Sequence, residues 1–314
     1  MKYFTKEWFI KDSLCSIMSR VKESEIAETK DEERYLELYR KKLSAHLAAE
    51  KQNDLYKNPK EELQRYDIYI SEPGITEEER RKRIQYKQTF IETNKDRIDN
   101  NLYFIFDENL FKQKFDNYLN QNIELLHYLP KRILKNVADI RILALGLACK
   151  KVMRLLNKYC AKQKKACNKI RNRAFSESDK VEETLTKQLN TNLYDDALIM
   201  DIYEQDGDIY LEFEYGQKLQ IINGEITERE QDKIYKWNID IPSSGMSLVQ
   251  GTEMHYKNGK YELCFLMENT DEYGKSALWY LTIRGNDILE IPAPPNQILE
   301  MEEKLLALAY KLSK

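Results

Sequence analysis

Apolar residues recur about every 3.6 positions along the first part of this chain, and from near residue 196 at every second position. Helix-start signals punctuate the first part. Asn58-Pro59-Lys60-Glu61 offers an N-cap, a proline at the first helical position and a capping-box glutamate. Thr76-Glu77-Glu78-Glu79 repeats the signal after the turn at Pro73-Gly74. Asp107 caps a third helix whose apolar face includes Leu110, Phe111, Phe115 and Leu119. Residues 31–53 form an earlier helix, and a shorter one follows Thr5. After Pro130 the segment 133–149 is apolar around nearly its whole circumference, which predicts a central helix wrapped by others. It continues into residues 150–170, where the apolar positions narrow to a stripe of Val152, Leu156, Tyr159 or Cys160, and Cys167.

In the second part Ile209, Leu211, Phe213 and Tyr215 alternate with Asp208, Tyr210, Glu212 and Glu214, the pattern of a half-buried strand. Tyr261, Leu263, Phe265 and Met267 share one strand face; Trp279, Leu281 and Ile283 share another. Asp206-Gly207, Asn223-Gly224, Asn258-Gly259 and Gly285-Asn286 read as tight turns supplying positive φ angles. The prolines at 292–295 end the sheet, and a last amphipathic helix carries Ile298, Met301, Leu305, Leu308 and Leu312. The pattern predicts an α+β protein. An all-helical domain spans 1–190, and an acidic, mostly antiparallel β domain with a C-terminal helix spans 191–314.

Composition adds little to that picture. Five cysteines without a CxxC pair argue against a secreted disulfide framework, and MKYFTKEW has no apolar leader, so the cytoplasm is expected. The least polar stretch, 137–149, is short for a bilayer and holds Asp139 and Arg141, so no membrane partner is expected. Charge changes the picture more. Residues 1–130 carry a net −2, residues 131–173 a net +13, and residues 174–314 a net −14.

Residues 150–173 hold ten Lys+Arg and no acid. Lys158, Lys162, Lys165 and Lys169 share one side of a helix there and are the candidate anion-binding residues. Tyr159 is the sole aromatic of the run, so it offers no stacking platform for bases. A face that is solvated, or neutralised within the molecule by the acidic segment or the acidic residues around 22–37, is the leading expectation, and an anionic partner the alternative. On a continuous helix Asp139 and Arg141 lie about 200° apart and cannot pair, so Lys135 would satisfy Asp139. Arg141 is then expected buried and bonded to another element, with a bound ligand as the other option. Cys149, Cys160 and Cys167 fall on one side of that helix, but their rises of roughly 16 and 10 Å forbid a shared metal. His127 and His255 lack a His, Cys or carboxylate at i+3 or i+4, and His46 has Glu50 alone at i+4, so none stands in a metal-ligand arrangement. Asp201, Glu204, Glu212, Glu214, Glu253 and Glu262 read as outward charges of a sheet, or as acid–base pairs. No GxSxG, Walker loop, HExxH or dinucleotide fingerprint occurs, so no catalytic residue, metal or cofactor is assigned.

MKYFTKEW, LPKRILKNVADIRILALG (129–146) and LYDDALIMDIYEQDGDIYLEFE (193–214) resemble an uncharacterised bacterial family, a domain of unknown function whose members open MKYFTKEWY or close to it. The last segment is also similar to a small β module of immunity-type proteins. Leu193, Asp195 and Ala197 fall at its opening, with departures at Tyr194 and Asp196, and Thr252-Glu253-Met254-His255 falls at its later stretch. The resemblance implies a fold and a bacterial origin and no activity. The leading expectation is a non-enzymatic protein-interaction module, immunity-like or regulatory. A nucleic-acid-associated protein using the basic helix 150–173 is the alternative, and an enzyme of unrecognised class the third.

Overall fold

The fold is that of a computed structural model, which describes residues 1–185, 194, 196–214, 216–232 and 247–293. Its helices are α1 (Lys6–Ser19), α2 (Glu32–Lys51), α3 (Pro59–Ile70), α4 (Glu77–Thr93), α5 (Lys95–Asn100), α6 (Glu108–Leu126), α7 (Lys131–Leu134), α8 (Ile140–Ala144) and α9 (Lys150–Glu182). The start signals act as side-chain caps. Thr5 accepts from the Trp8 amide, Asn58 from Lys60 and Thr76 from Glu79, and Asp107 accepts from Asn109 and Leu110.

Two short strands, β1 (Lys22–Glu23) and β2 (Leu147–Ala148), pair in parallel. The remaining strands are β3 (Leu198–Gln205), β4 (Asp208–Phe213), β5 (Lys218–Ile222), β6 (Glu225–Asp232), β7 (Ser247–Lys257), β8 (Lys260–Thr270), β9 (Ser276–Gly285) and β10 (Asp287–Ile291). They form one antiparallel eight-stranded sheet in the order β10-β5-β4-β3-β7-β8-β9-β6. The protein is therefore α+β, with a helical N-terminal half and an antiparallel C-terminal sheet. The final helix expected at 298–312 lies outside the described residues, as do Leu193, Asp195 and Tyr215.

Contacts group residues 1–41 with the described residues from 113 to 293 into one compact unit, and residues 42–112 into a second. In the first unit two apolar clusters form. One gathers Phe4, Trp8, Leu14, Leu126, Ile142, Val152 and Leu156 with Leu266 and Leu278 of the sheet. The other holds Leu211, Leu219, Leu263, Phe265, Trp279, Leu281 and Ile283. Strand β8 is consequently buried on both faces from Tyr261 to Met267, where the alternation predicts one buried face. The change of period near residue 196 thus marks a change of secondary structure inside this unit.

The turn signals divide into two kinds. Asp206-Gly207 and Asn258-Gly259 have positive φ at both residues and join neighbouring strands of the sheet. Of Asn223-Gly224 only Asn223 has positive φ, and neither Gly285 nor Asn286 does. These last two turns lead between strands that are not sheet neighbours, so hairpin geometry is not required of them.

The central helix expected from 133 onward is interrupted. α7 ends at Leu134, Asp139 adopts extended backbone and caps α8, and Gly146 turns the chain at φ 89° into β2. Ile142, Leu143, Ala144 and Leu145 are all buried. An all-round apolar pattern reports surroundings, and a broken segment enclosed by other elements shows the same pattern as a continuous helix.

Candidate anion-binding face

α9 runs 33 residues from Cys149, its extended N-cap residue, and so excludes Cys149 from the helix. Val152, Leu156, Tyr159, Cys167, Ala174 and Ser178 form its buried stripe. The stripe is built at three- and four-residue spacings and packs against α1 and β7. Lys158, Lys162, Lys165 and Lys169 are all exposed. They fall within about 60° of arc, roughly opposite the buried stripe, along about 16 Å of axis. Among the described residues the ion pair found in 150–173 is Arg171 with Asp12, at 3.7 Å. The neutralisation expected from the acidic segment therefore reaches none of these four lysines among the described residues.

The helix itself gains little from this charge. Its first turn has no acid, Cys149 supplies no side-chain cap bond, and Lys150 and Lys151 stand where the macrodipole is positive.

Asp139 and Arg141 do pair, contrary to the continuous-helix expectation. As the N-cap, Asp139 turns back over α8. Its Oδ1 accepts from the Arg141 amide at 2.9 Å, and its Oδ2 from Arg141 Nη2 at 2.7 Å. Lys135 is not its partner. Arg141 also reaches Glu32 of α2 at 2.7 Å and lies 4.0 Å from the Tyr35 ring centroid. Its side chain is 28% exposed, so it is largely buried and bonded to a carboxylate of another element, Glu32, as expected. Hydrogen bonds to Asp139 and then Glu32 hold the Arg141 pKa above its usual range. Burial pushes the Asp139 carboxyl up, but the Arg141 bonds outweigh it and leave it below the ordinary value.

Two strand carboxylates read as outward are buried. Glu253, 1% exposed, accepts from the backbone amides of Lys2 at 2.8 Å and of Tyr3 and Phe4 at 2.7 Å each, and meets His255 Nε2 at 3.0 Å. Burial raises its pKa, yet His255 and the three amides leave it below the ordinary carboxylate value. Glu262 is held by Arg284, and by Lys257 at 2.7 Å. The sequence signal for the first of these was Gly251, a glycine inside a strand, which marks close approach of another element. A Cβ there would lie 2.5 Å from the Phe4 ring.

His127 Nδ1 lies 2.7 Å from the Ile123 carbonyl, and His46 lies 3.8 Å from Glu50. All five cysteines are free, and burial pushes Cys167 and Cys264 up to about 11. Among the described residues no group of three or more His, Cys, Asp and Glu is placed to hold a metal ion, and no helix is long and apolar enough to cross a membrane. No protein-family model, curated protein or solved structure matches the chain.

Proposed function

We propose that the outer face of α9 binds the phosphate backbone of a nucleic-acid duplex without reading its sequence. The observation that carries this reading is the row of four exposed lysines, Lys158, Lys162, Lys165 and Lys169, with no carboxylate partner among the described residues. Lysine ammonium groups on flexible stems suit phosphates that vary in position, and phosphate contacts carry affinity without base readout. The face has no exposed aromatic, since Tyr159 is buried, which favours a duplex over an unstacked single strand.

The test is titration of the full chain with random-sequence duplex DNA and duplex RNA at two salt concentrations. The comparison protein carries Lys158→Gln, Lys162→Gln, Lys165→Gln and Lys169→Gln together. Four phosphate contacts correspond to a log–log salt slope of about −3.6 on B-form DNA, and the variant should lose that slope. Equal affinity and equal slope in the two proteins would overturn the reading.

A protein-interaction module is the second reading. Residues 42–112 favour it by exposing Ile105 at 89%, Ile68 at 73% and Tyr86 at 62%, and uncovered apolar surface suits a protein partner. The lysine titration separates the two, because no nucleic-acid affinity in either protein leaves the interaction reading standing.

A further inference from the structure

A cavity of about 410 Å³ lies elsewhere in the larger unit, lined in part by Asp12 and Ser16 of α1, Gln121 and Asn122 of α6, Gln250 of β7 and Glu268 of β8. Its size falls within the range of small-molecule pockets, about 300–1,000 Å³. Its walls are unusual for that class in being mainly polar, with Asp196, Arg20 and Tyr118 adding to the residues named.

Gln121 is 6% exposed, and its Nε2 has no hydrogen-bond partner among the described residues. A buried donor left without an acceptor is rare in native proteins, so a cavity wall with one is built to meet an acceptor that arrives from outside. The same lining holds acceptors. The β7 ladder slips between Val249 and Gly251, which makes Gln250 a bulge residue. From there its Nε2 donates to Glu268 Oε2 at 3.0 Å and fixes that carboxyl group at the wall. Burial raises the Glu268 pKa, against the hydrogen bonds that lower it. Asp12 and Asp196 supply further acceptor oxygens.

An occupant must therefore accept from a carboxamide and donate to several carboxyl groups at once. An ammonium ion only donates, and would leave Gln121 unsatisfied. A phosphate or carboxylate only accepts, and would face Asp12, Asp196 and Glu268 with Arg20 as the single lining cation. A hydroxyl group does both, and a ring bearing several hydroxyls presents them in the required variety of directions. Tyr118, 50% exposed, adds an aromatic wall suited to the apolar face of such a ring.

We propose that this cavity binds a neutral polyhydroxylated molecule of the mono- or disaccharide class, with Gln121 and Asn122 as donors and Asp12 and Glu268 as acceptors. The site shares no residue with the lysine row of α9, so either proposal can fail without the other.

The test is saturation-transfer NMR on the full chain with glucose, galactose, N-acetylglucosamine and trehalose at millimolar concentration. Spermidine and citrate serve as cationic and anionic comparators. Saturable transfer to at least one sugar is expected, weakened about tenfold by Gln121→Leu, the value of one good hydrogen bond. Tyr118→Ala, at an exposed position, gives a second reading should Gln121→Leu fail to fold, and is also expected to weaken binding. Transfer to none of the sugars, transfer confined to spermidine or citrate, or sugar binding unchanged in the folded variants would overturn the proposal.

Discussion

Residues 42–112 and the larger unit solve the same problem with different means. Within 42–112, Pro59, Arg83 and Phe111 are the buried residues among the described side chains. Arg83 lies over the Tyr69 ring, 3.5 Å from its centroid, and pairs with Glu72 and Glu79 at 2.7 Å each. Tyr56, Phe106 and Phe111 meet ring to ring, with Phe106 and Phe111 stacked at 4.8 Å. The larger unit buries side chains on both faces of its sheet and satisfies buried Glu253 and Glu262 with backbone amides or cations. Caps and i,i+4 ion pairs act between near neighbours in sequence and the ring contacts stay within residues 56–111, whereas two-sided burial of the sheet also requires partners from the far end of the chain, such as Phe4 and Trp8. Substitutions should therefore be felt globally in the larger unit and locally in the smaller.

The largest effect is expected at Glu253. Glu253→Ala leaves three amides of residues 2–4 without their acceptor, and should cost about 3–5 kcal/mol in urea unfolding. Its folded pKa is depressed, so its contribution is complete above the unfolded carboxylate pKa and is lost as pH falls through the folded value. Glu253→Gln should accordingly flatten the acid limb of the stability–pH curve, and an unchanged limb would contradict the cradle. Next comes a matched pair of apolar truncations. Leu281→Ala, at a fully buried site, should cost about 2–5 kcal/mol. Ile105→Ala, at 89% exposure, should stay within about 0.5 kcal/mol. Equal costs would erase the distinction between the units.

Arg141→Ala should be milder, about 1–2 kcal/mol. It removes the partner of buried Asp139, but the arginine is itself partly solvated. The smallest effect is expected at Thr76→Ala, which removes one cap for about 1 kcal/mol. Hydrogen exchange should register it in residues 77–93 while the sheet amides remain protected. Exchange rising equally in β8 would show the smaller unit to be coupled to the sheet.

The same contrast explains what could be read from the chain alone. Asn58, Thr76 and Asp107 act within three residues of themselves, and all three cap as their spacing predicts. Asp206-Gly207 and Asn258-Gly259 succeed for the same reason, because the strands they join are adjacent. Asp139 failed, since residues 133–149 carry a helical pattern while a two-residue parallel bridge to Lys22-Glu23 holds Leu147-Ala148 out of the helix. Glu253 and Glu262 failed because an outward charge and a buried, saturated one occupy the same alternation. The lysine row of α9 was legible from periodicity, but its lack of partners among the described residues was not, since that depends on where distant carboxylates lie. Gln121 gave no signal, because an unpaired amide can be recognised only once its neighbours are in place.

The Glu253 cradle also sets an order of events during synthesis. It joins points 251 residues apart. At about 5–20 residues per second the carboxylate is made roughly 12–50 s after the amides it will hold. Through that interval Phe4 lacks Gly251, and Trp8 and Leu14 lack the sheet residues Leu266 and Leu278 that share their cluster. Helix α1 thus leaves the ribosome well before the sheet and is finished only once the sheet is made. A nascent chain halted anywhere before β7 presents its apolar face to the chaperones that meet it.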